Sequence, residues 1–78
     1  MISKTMQDSI NEQIKNEIYS AYLYLSMSAH FEANNLPGFA NWMRVQYGEE
    51  TTHALKLYDH LNERGGRVKL LAIPEPRS

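Results

Sequence analysis

The sequence contains no cysteine, which excludes disulfide bonds, thiolate zinc sites and cysteine-bound iron-sulfur clusters. It has no excess of charge either: 8 basic residues stand against 9 acidic ones, so no nucleic-acid-binding surface and no polybasic membrane patch are expected. The longest apolar run, residues 21–25, is far shorter than the ~20 residues of a membrane-spanning helix, and residues 1–8 lack the apolar core of a signal peptide. We therefore expect a soluble, cytoplasmic protein.

Proline and glycine are scarce too, with 3 and 4 residues respectively. Neither occurs between Ser3, which is a suitable helix N-cap, and Asn34. Asn34 and Asn35 suit the left-handed conformation in which many helices end. This stretch therefore predicts a first helix over about residues 4–34.

A second helix is predicted over about residues 37–64. Pro37 suits the first turn of a helix, and Gly65 supplies the glycine expected just past a helix end. Because the break between the two helices is short, they should fold back on each other as an antiparallel hairpin. Gly48 lies inside the second helix, where glycine costs ~1 kcal/mol relative to alanine. Either a neighbouring helix approaches closely there or this cost is simply carried, and we favour the close approach.

Residues 66–78 are predicted to form an extended tail, because they contain two prolines in three residues and show no helical period. The tail is too apolar for a solvated chain end. We therefore expect it to lie along a surface that this chain alone does not provide. Its large apolar residues are Val68, Leu70, Leu71 and Ile73.

Glu17 and Glu50 each lie in a helix stripe that also carries apolar residues. A buried carboxylate needs a proton, a cationic partner or a metal ion, and His53, one turn after Glu50, offers a neutral nitrogen donor on the same face. Glu-x-x-His is a metal-ligand motif already known from di-iron and di-manganese helical bundles. The stripe of the second helix is Phe39, Met43, Gln46, Glu50, His53, Leu57 and His60; that of the first is Ile10, Ile14, Glu17, Ala21, Tyr24 and Ser28.

Simpler interpretations exist for each of these residues. A solvated helix face would explain Glu50 and His53, but the apolar residues one turn away on either side favour metal binding. Tyr24 is more typical of a packed tyrosine with one hydrogen bond than of a redox participant. His60 lies near a helix end, where a histidine usually interacts with the last carbonyl groups.

Taken together, these residues resemble the N-terminal half of a bacterial non-haem ferritin. The resemblance extends over residues 1–78 and implies an all-α fold: an antiparallel helical hairpin that forms half of a four-helix bundle and is completed by a second chain. The segments that carry it are residues 11–17, Tyr22-Leu23-Tyr24, Pro37-Gly38-Phe39, Glu49-Glu50-Thr51-Thr52-His53-Ala54 and Ile73-Pro74.

The resemblance also implies a function, a ferroxidase that oxidises iron(II) with dioxygen or peroxide and stores iron(III) inside a hollow shell. Glu17 would ligate one iron, Glu50 would bridge two, and His53 would complete the ligands of the first. Tyr24 would lie beside this di-iron centre, and Glu49 would form a weaker outer iron site. Carboxylate and imidazole donors suit this task because they stabilise the more highly charged ion.

Two differences from related proteins reduce the number of cofactors expected for this chain. Haem-binding relatives carry methionine directly after the bridging glutamate, where this chain has Thr51, so no haem is expected. Rubrerythrins share the Glu-x-x-His helix but add a cysteine-rich iron domain, which a chain without cysteine cannot form.

The third and fourth helices of the family, which carry further iron ligands, have no counterpart in these residues. We expect self-association into dimers or a larger shell, because burial and chain entropy nearly cancel in so small a unit. Two copies related by a two-fold axis would together provide two Glu17 and two Glu50-x-x-His53 sets. Alternatively, a separate C-terminal half completes the site, or the chain is a non-catalytic assembly fragment with an incomplete metal site.

Overall fold

Two antiparallel helices lie side by side in the computed structural model, which describes residues 2–76. α1 spans Lys4–Ala33 and α2 spans Pro37–Glu63, and residues 2–76 contain no strand. The molecule measures 50 × 20 × 11 Å. Its smallest dimension is about the 10–12 Å diameter of one helix, so the hairpin is a single layer with two open faces.

Local capping interactions determine where α1 begins and ends. Ser3 has extended backbone angles, and its hydroxyl oxygen accepts a hydrogen bond from the Met6 amide at 3.1 Å, so it is the expected N-cap. At the other end Asn35 adopts a left-handed conformation with φ of 58°. The amide of Leu36 donates to the Phe31 carbonyl at 2.9 Å, which is the long hydrogen bond of a Schellman motif. The helix ends one residue before the predicted boundary.

The ends of α2 follow the same rules with different residues. Pro37 occupies the first helical position, where its missing amide hydrogen would have had no partner. Gly65 has φ of 77°, and the Gly66 amide donates to the Leu61 carbonyl at 3.0 Å, so a second Schellman motif ends the helix. Gly66 is also confined by its surroundings, because a Cβ atom built there would clash with the Leu61 side chain.

The residues buried between the helices recur at heptad spacing, and most of them are small. Among residues 2–76, Ser28 carries the one buried hydroxyl along this contact, and it donates to the Ala40 carbonyl across the interface at 2.8 Å. Small side chains at this seam let the helices approach closely, which brings polar groups on their adjoining faces within reach of one another. The buried residues are Asn11, Ile14, Ala21 and Ser28 of α1 and Ala40, Ala54 and Leu61 of α2.

The tail begins on the surface of α1, so the expectation that this chain provides no surface for it was wrong for residues 67–69. The buried Asn11 side chain donates to the Arg67 carbonyl at 3.0 Å and accepts from the Lys69 amide at 2.9 Å. Gln7 accepts from the Arg67 amide at 2.9 Å. We call these contacts the tail latch. Beyond it Leu70 is 72% exposed.

Large apolar side chains remain exposed on the outside of the hairpin. Phe39 and Trp42 border an apolar hollow of about 800 Å³ beside the turn between the helices. Apart from the adjoining backbone of α2, no atom of the described residues lies within 4 Å of a Cβ atom built at Gly48, so α1 does not make the close approach expected there. Neither α1 nor α2 combines the length and apolar character that a membrane crossing requires.

Candidate metal centre

Three potential metal ligands from two helices meet near the middle of the hairpin. Glu17 extends from α1, Glu50 and His53 extend from α2, and one ligand atom of each lies within 4.8 Å of the others. The buried alanines Ala21 and Ala54 lie one turn beyond Glu17 and Glu50, and their small side chains allow the helices to approach here. The hairpin therefore brings Glu17 of the first predicted stripe together with the Glu50-x-x-His53 motif of the second.

The distances within this group suit a shared ion. His53 Nδ1 lies 3.8 Å from Glu17 Oε2 and 3.9 Å from Glu50 Oε2. Both distances exceed the ~2.7–3.2 Å of a direct hydrogen bond. Two donor atoms that each bind one ion at ~2.0–2.2 Å lie at most ~4.4 Å apart, so these separations leave room for a cation between the side chains. Carboxylate oxygen and imidazole nitrogen accept iron, zinc or manganese.

The group is open on one side. The side chains of Glu17 and Glu50 are 20% and 21% exposed, whereas that of His53 is 56% exposed. A bundle-type di-metal site takes ligands from all four helices, and this hairpin supplies ligands from two. The described residues thus provide candidate ligands from two of the four helices that such a site uses.

The two carboxyl groups titrate as a pair. A hydrogen bond with Glu17, followed by burial, raises the pKa of Glu50, and the same bond with Glu50 is the main cause that lowers the pKa of Glu17. The nearby charge of Glu49 also raises the pKa of Glu50. The pair therefore retains one proton to a higher pH than a single glutamate would, and a bound cation would replace that proton.

Gln13 is a polar neighbour of the group that sequence analysis did not assign. Its side-chain Nε2 donates to Glu17 Oε1 at 2.8 Å. The two residues lie one turn apart on α1, and this i,i+4 spacing was the available signal. A glutamine and a glutamate four residues apart are too common on helix surfaces to single out a site.

The other two predicted site residues, Tyr24 and Glu49, lie outside the group of three. Tyr24 is half-buried on α1, two turns beyond Glu17. Glu49 is exposed on α2 beside Glu50. His60 lies along a hollow near the start of α1, together with Ser3 and other residues, and does not join the carboxylates.

The hairpin is the first half of a ferritin-like fold, and the family comparison agrees. Residues 7–78 match the ferritin-like domain family, so the chain belongs to that family. It is 40% identical over 78 residues to a bacterial non-heme ferritin of Staphylococcus saprophyticus, covering 100% of this chain and 47% of that protein. It is 49% identical over 70 residues to one from Bacteroides fragilis, covering 90% and 44%. The chain spans about half the length of the curated relatives it matches.

Solved structures give the same result. An engineered closed form of the Archaeoglobus fulgidus ferritin superposes with a TM-score of 0.98 at 58% identity, covering 100% of this chain and 48% of that one. The Chlorobium tepidum ferritin superposes with a TM-score of 0.94 at 37% identity, again covering 100% and 48%. The predicted resemblance and the predicted hairpin, the first half of the ferritin fold, are both confirmed.

Proposed function

We propose that the chain binds iron(II) as a substrate at Glu17, Glu50 and His53 and, with a second pair of helices, oxidises it to iron(III) for storage. The observation that carries this proposal is the convergence of the three side chains within 4.8 Å. The same donors accept zinc and manganese, and the relatives named bacterial non-heme ferritin favour iron among these metals.

The proposed roles follow the positions of the side chains. Glu17 and His53 bind the first iron, and Glu50, which interacts with both of them, bridges to the second. The exposed Glu49 forms a weaker outer site from which iron can reach the pair. Tyr24 lies beside the centre on α1 without binding metal.

The proposed reaction needs an external oxidant. Two iron(II) ions lose one electron each, and dioxygen accepts these two electrons and two protons to become hydrogen peroxide. Where peroxide is the oxidant, it accepts two electrons and two protons to become water. Anionic oxygen donors favour the reaction because they stabilise iron(III) more than iron(II).

A second pair of helices is required because the ligand group is open on one side. A second copy related by a two-fold axis would supply another Glu17 and another Glu50-x-x-His53 set, which is the ligand list of a symmetric di-iron bundle. A separate C-terminal ferritin half is the other source of the missing ligands. The exposed apolar residues beside the turn, Phe39 and Trp42, support helix packing on this hairpin in either case.

A second candidate function is a non-catalytic assembly unit that keeps the ferritin contacts but binds iron weakly. The 56% exposure of the His53 side chain favours this candidate. Water can replace a solvent-exposed imidazole as a metal ligand at little cost. The two functions differ in whether Glu50 is needed for oxidation.

The test is the rate of iron(II) oxidation by the purified chain, followed by the absorbance of iron(III). Under the ferroxidase proposal, Glu50→Ala abolishes the rapid phase while circular dichroism shows that the helices remain. Glu32→Ala is the matched control, because Glu32 is exposed on α1 and lies outside the ligand group. Equal rates for the unsubstituted chain and Glu50→Ala would contradict oxidation by this chain alone. The assembly unit, or a site completed by a separate C-terminal half, would then remain.

A further inference from the structure

Glu17 uses its two carboxylate oxygens differently. Oε1 accepts the hydrogen bond from Gln13 at 2.8 Å, while Oε2 is the oxygen that lies 3.8 Å from His53 Nδ1. The first oxygen is therefore directed along α1, and the second is directed across to α2. A free glutamate side chain has several rotatable bonds and would exchange these orientations.

We propose that Gln13 is a positioning residue that holds Glu17 in its metal-binding orientation, with Oε2 toward His53 and Glu50. This inference rests on the proposed metal site. Gln13 does not act as a ligand through the donating group, because an amide nitrogen has hydrogen atoms to donate but no free electron pair to offer a metal. The reversed amide would bring its oxygen against a carboxylate oxygen, so the carboxylate selects the donating orientation.

The geometry makes Gln13 suited to this role. It lies one turn before Glu17, where i,i+4 side chains on a helix are neighbours, so the contact needs no distortion of α1. Partners that hydrogen-bond to metal-binding carboxylates fix the ligand orientation, and their loss typically reduces metal affinity by ~10–100-fold. Because Gln13 itself is exposed, replacing it leaves the buried seam between the helices intact.

The experiment measures the affinity of the 78-residue chain for iron(II) without oxygen, by isothermal titration calorimetry. Gln13→Leu, which removes the donor, should weaken binding about tenfold, at the lower end of the range for such partners. Asn16→Leu is the control, because Asn16 is also exposed on α1 but makes none of the side-chain contacts of the ligand group. Thermal unfolding followed by circular dichroism should be the same for both variants without metal.

A double substitution separates positioning from a general structural effect. If Gln13 acts through Glu17, then Gln13→Leu has no further effect on affinity in a Glu17→Ala background. An equal loss of affinity in both backgrounds would overturn the proposed role, as would unchanged affinity in Gln13→Leu alone. Absence of iron binding by the unsubstituted chain would instead overturn the metal site itself, so the two failures are distinguishable.

Discussion

The imidazole of His53 on α2 lies 3.8 Å from the carboxylate of Glu17 on α1, although the turn between the helices is far from both residues. The two side chains meet because α1 and α2 pack with small residues at their seam. The three candidate ligands therefore come together only when the hairpin is folded. Each of them can be tested by a separate substitution.

The first prediction concerns the two histidines of the α2 stripe. His53→Ala should weaken iron(II) binding by at least about tenfold, since losing even an outer partner of a metal site typically costs that much. His60→Ala should leave affinity unchanged, because His60 lies outside the ligand group although it continues the same heptad stripe. Calorimetric titration without oxygen measures both variants. Equal losses in the two variants would contradict this assignment.

The second prediction concerns the stability of the metal-free chain as a function of pH. The pKa of Glu50 is raised in the folded chain, so its contribution is present at low pH and is lost as pH rises through that raised pKa. The pKa of Glu17 is lowered, so its contribution is lost as pH falls through that lowered pKa. The pair should therefore stabilise the hairpin most between the two pKa values, where it holds one proton.

Urea unfolding with a chelator present tests this pH dependence. The Glu17→Gln/Glu50→Gln double variant is the reference, because it cannot titrate at either position. The difference in unfolding free energy between the unsubstituted chain and this variant should pass through a maximum as pH increases. A difference that does not vary with pH would show that the two carboxyl groups do not interact.

The third prediction concerns two glycines, one inside α2 and one just past its C-terminal end. Gly48→Ala should stabilise the isolated hairpin by ~1 kcal/mol, because a Cβ atom there meets nothing within 4 Å among the described residues. Gly65→Ala should destabilise it by ~1–2 kcal/mol, because φ of 77° places a side chain in the strained left-handed region. Chemical denaturation measures both. A destabilising Gly48→Ala would mean that another helix packs against this position.

The fourth prediction concerns the tail latch. Asn11→Leu removes a buried donor and acceptor at once and leaves the Arg67 carbonyl and the Lys69 amide without their partner. The Lys69 amide should then exchange its hydrogen faster, and stability should fall by ~1–3 kcal/mol. Hydrogen exchange measured by NMR checks this, with Asn16→Leu on the exposed surface of α1 as control. Unchanged exchange at Lys69 would contradict the latch.

The helix boundaries could be predicted because their causes are local. Ser3 caps α1 through the amide of Met6, and Pro37 and Gly65 act through their own backbone angles. Each of these signals involves residues within one turn of the chain. The Glu50-x-x-His53 spacing is local in the same sense, so the ligands on α2 could be selected before the structure was known.

The contacts that were not predicted are of two kinds. Some join distant parts of the chain, and others depend on which rotamer a side chain adopts in the folded protein. Asn11 and Gln7 bind backbone groups of Arg67 and Lys69, and a pattern of residue types does not specify such a pairing. The surroundings of Gly48 depend on what packs on the outer face of α2, which residue spacing does not reveal. Gln13 has several rotamers in a helix, and only the folded arrangement shows that it binds Glu17.

Binding of iron(II) by Glu17, Glu50 and His53 on one side of a site that a second pair of helices completes should change the size of the assembly. The molar mass of the purified chain, measured by light scattering in the absence of oxygen with and without added iron(II), tests this most directly. Iron(II) should shift the chain toward dimers or larger even multiples, and Glu50→Ala should abolish this shift. A mass that iron(II) leaves unchanged, or an equal shift in Glu50→Ala, would contradict completion of the site by a second copy.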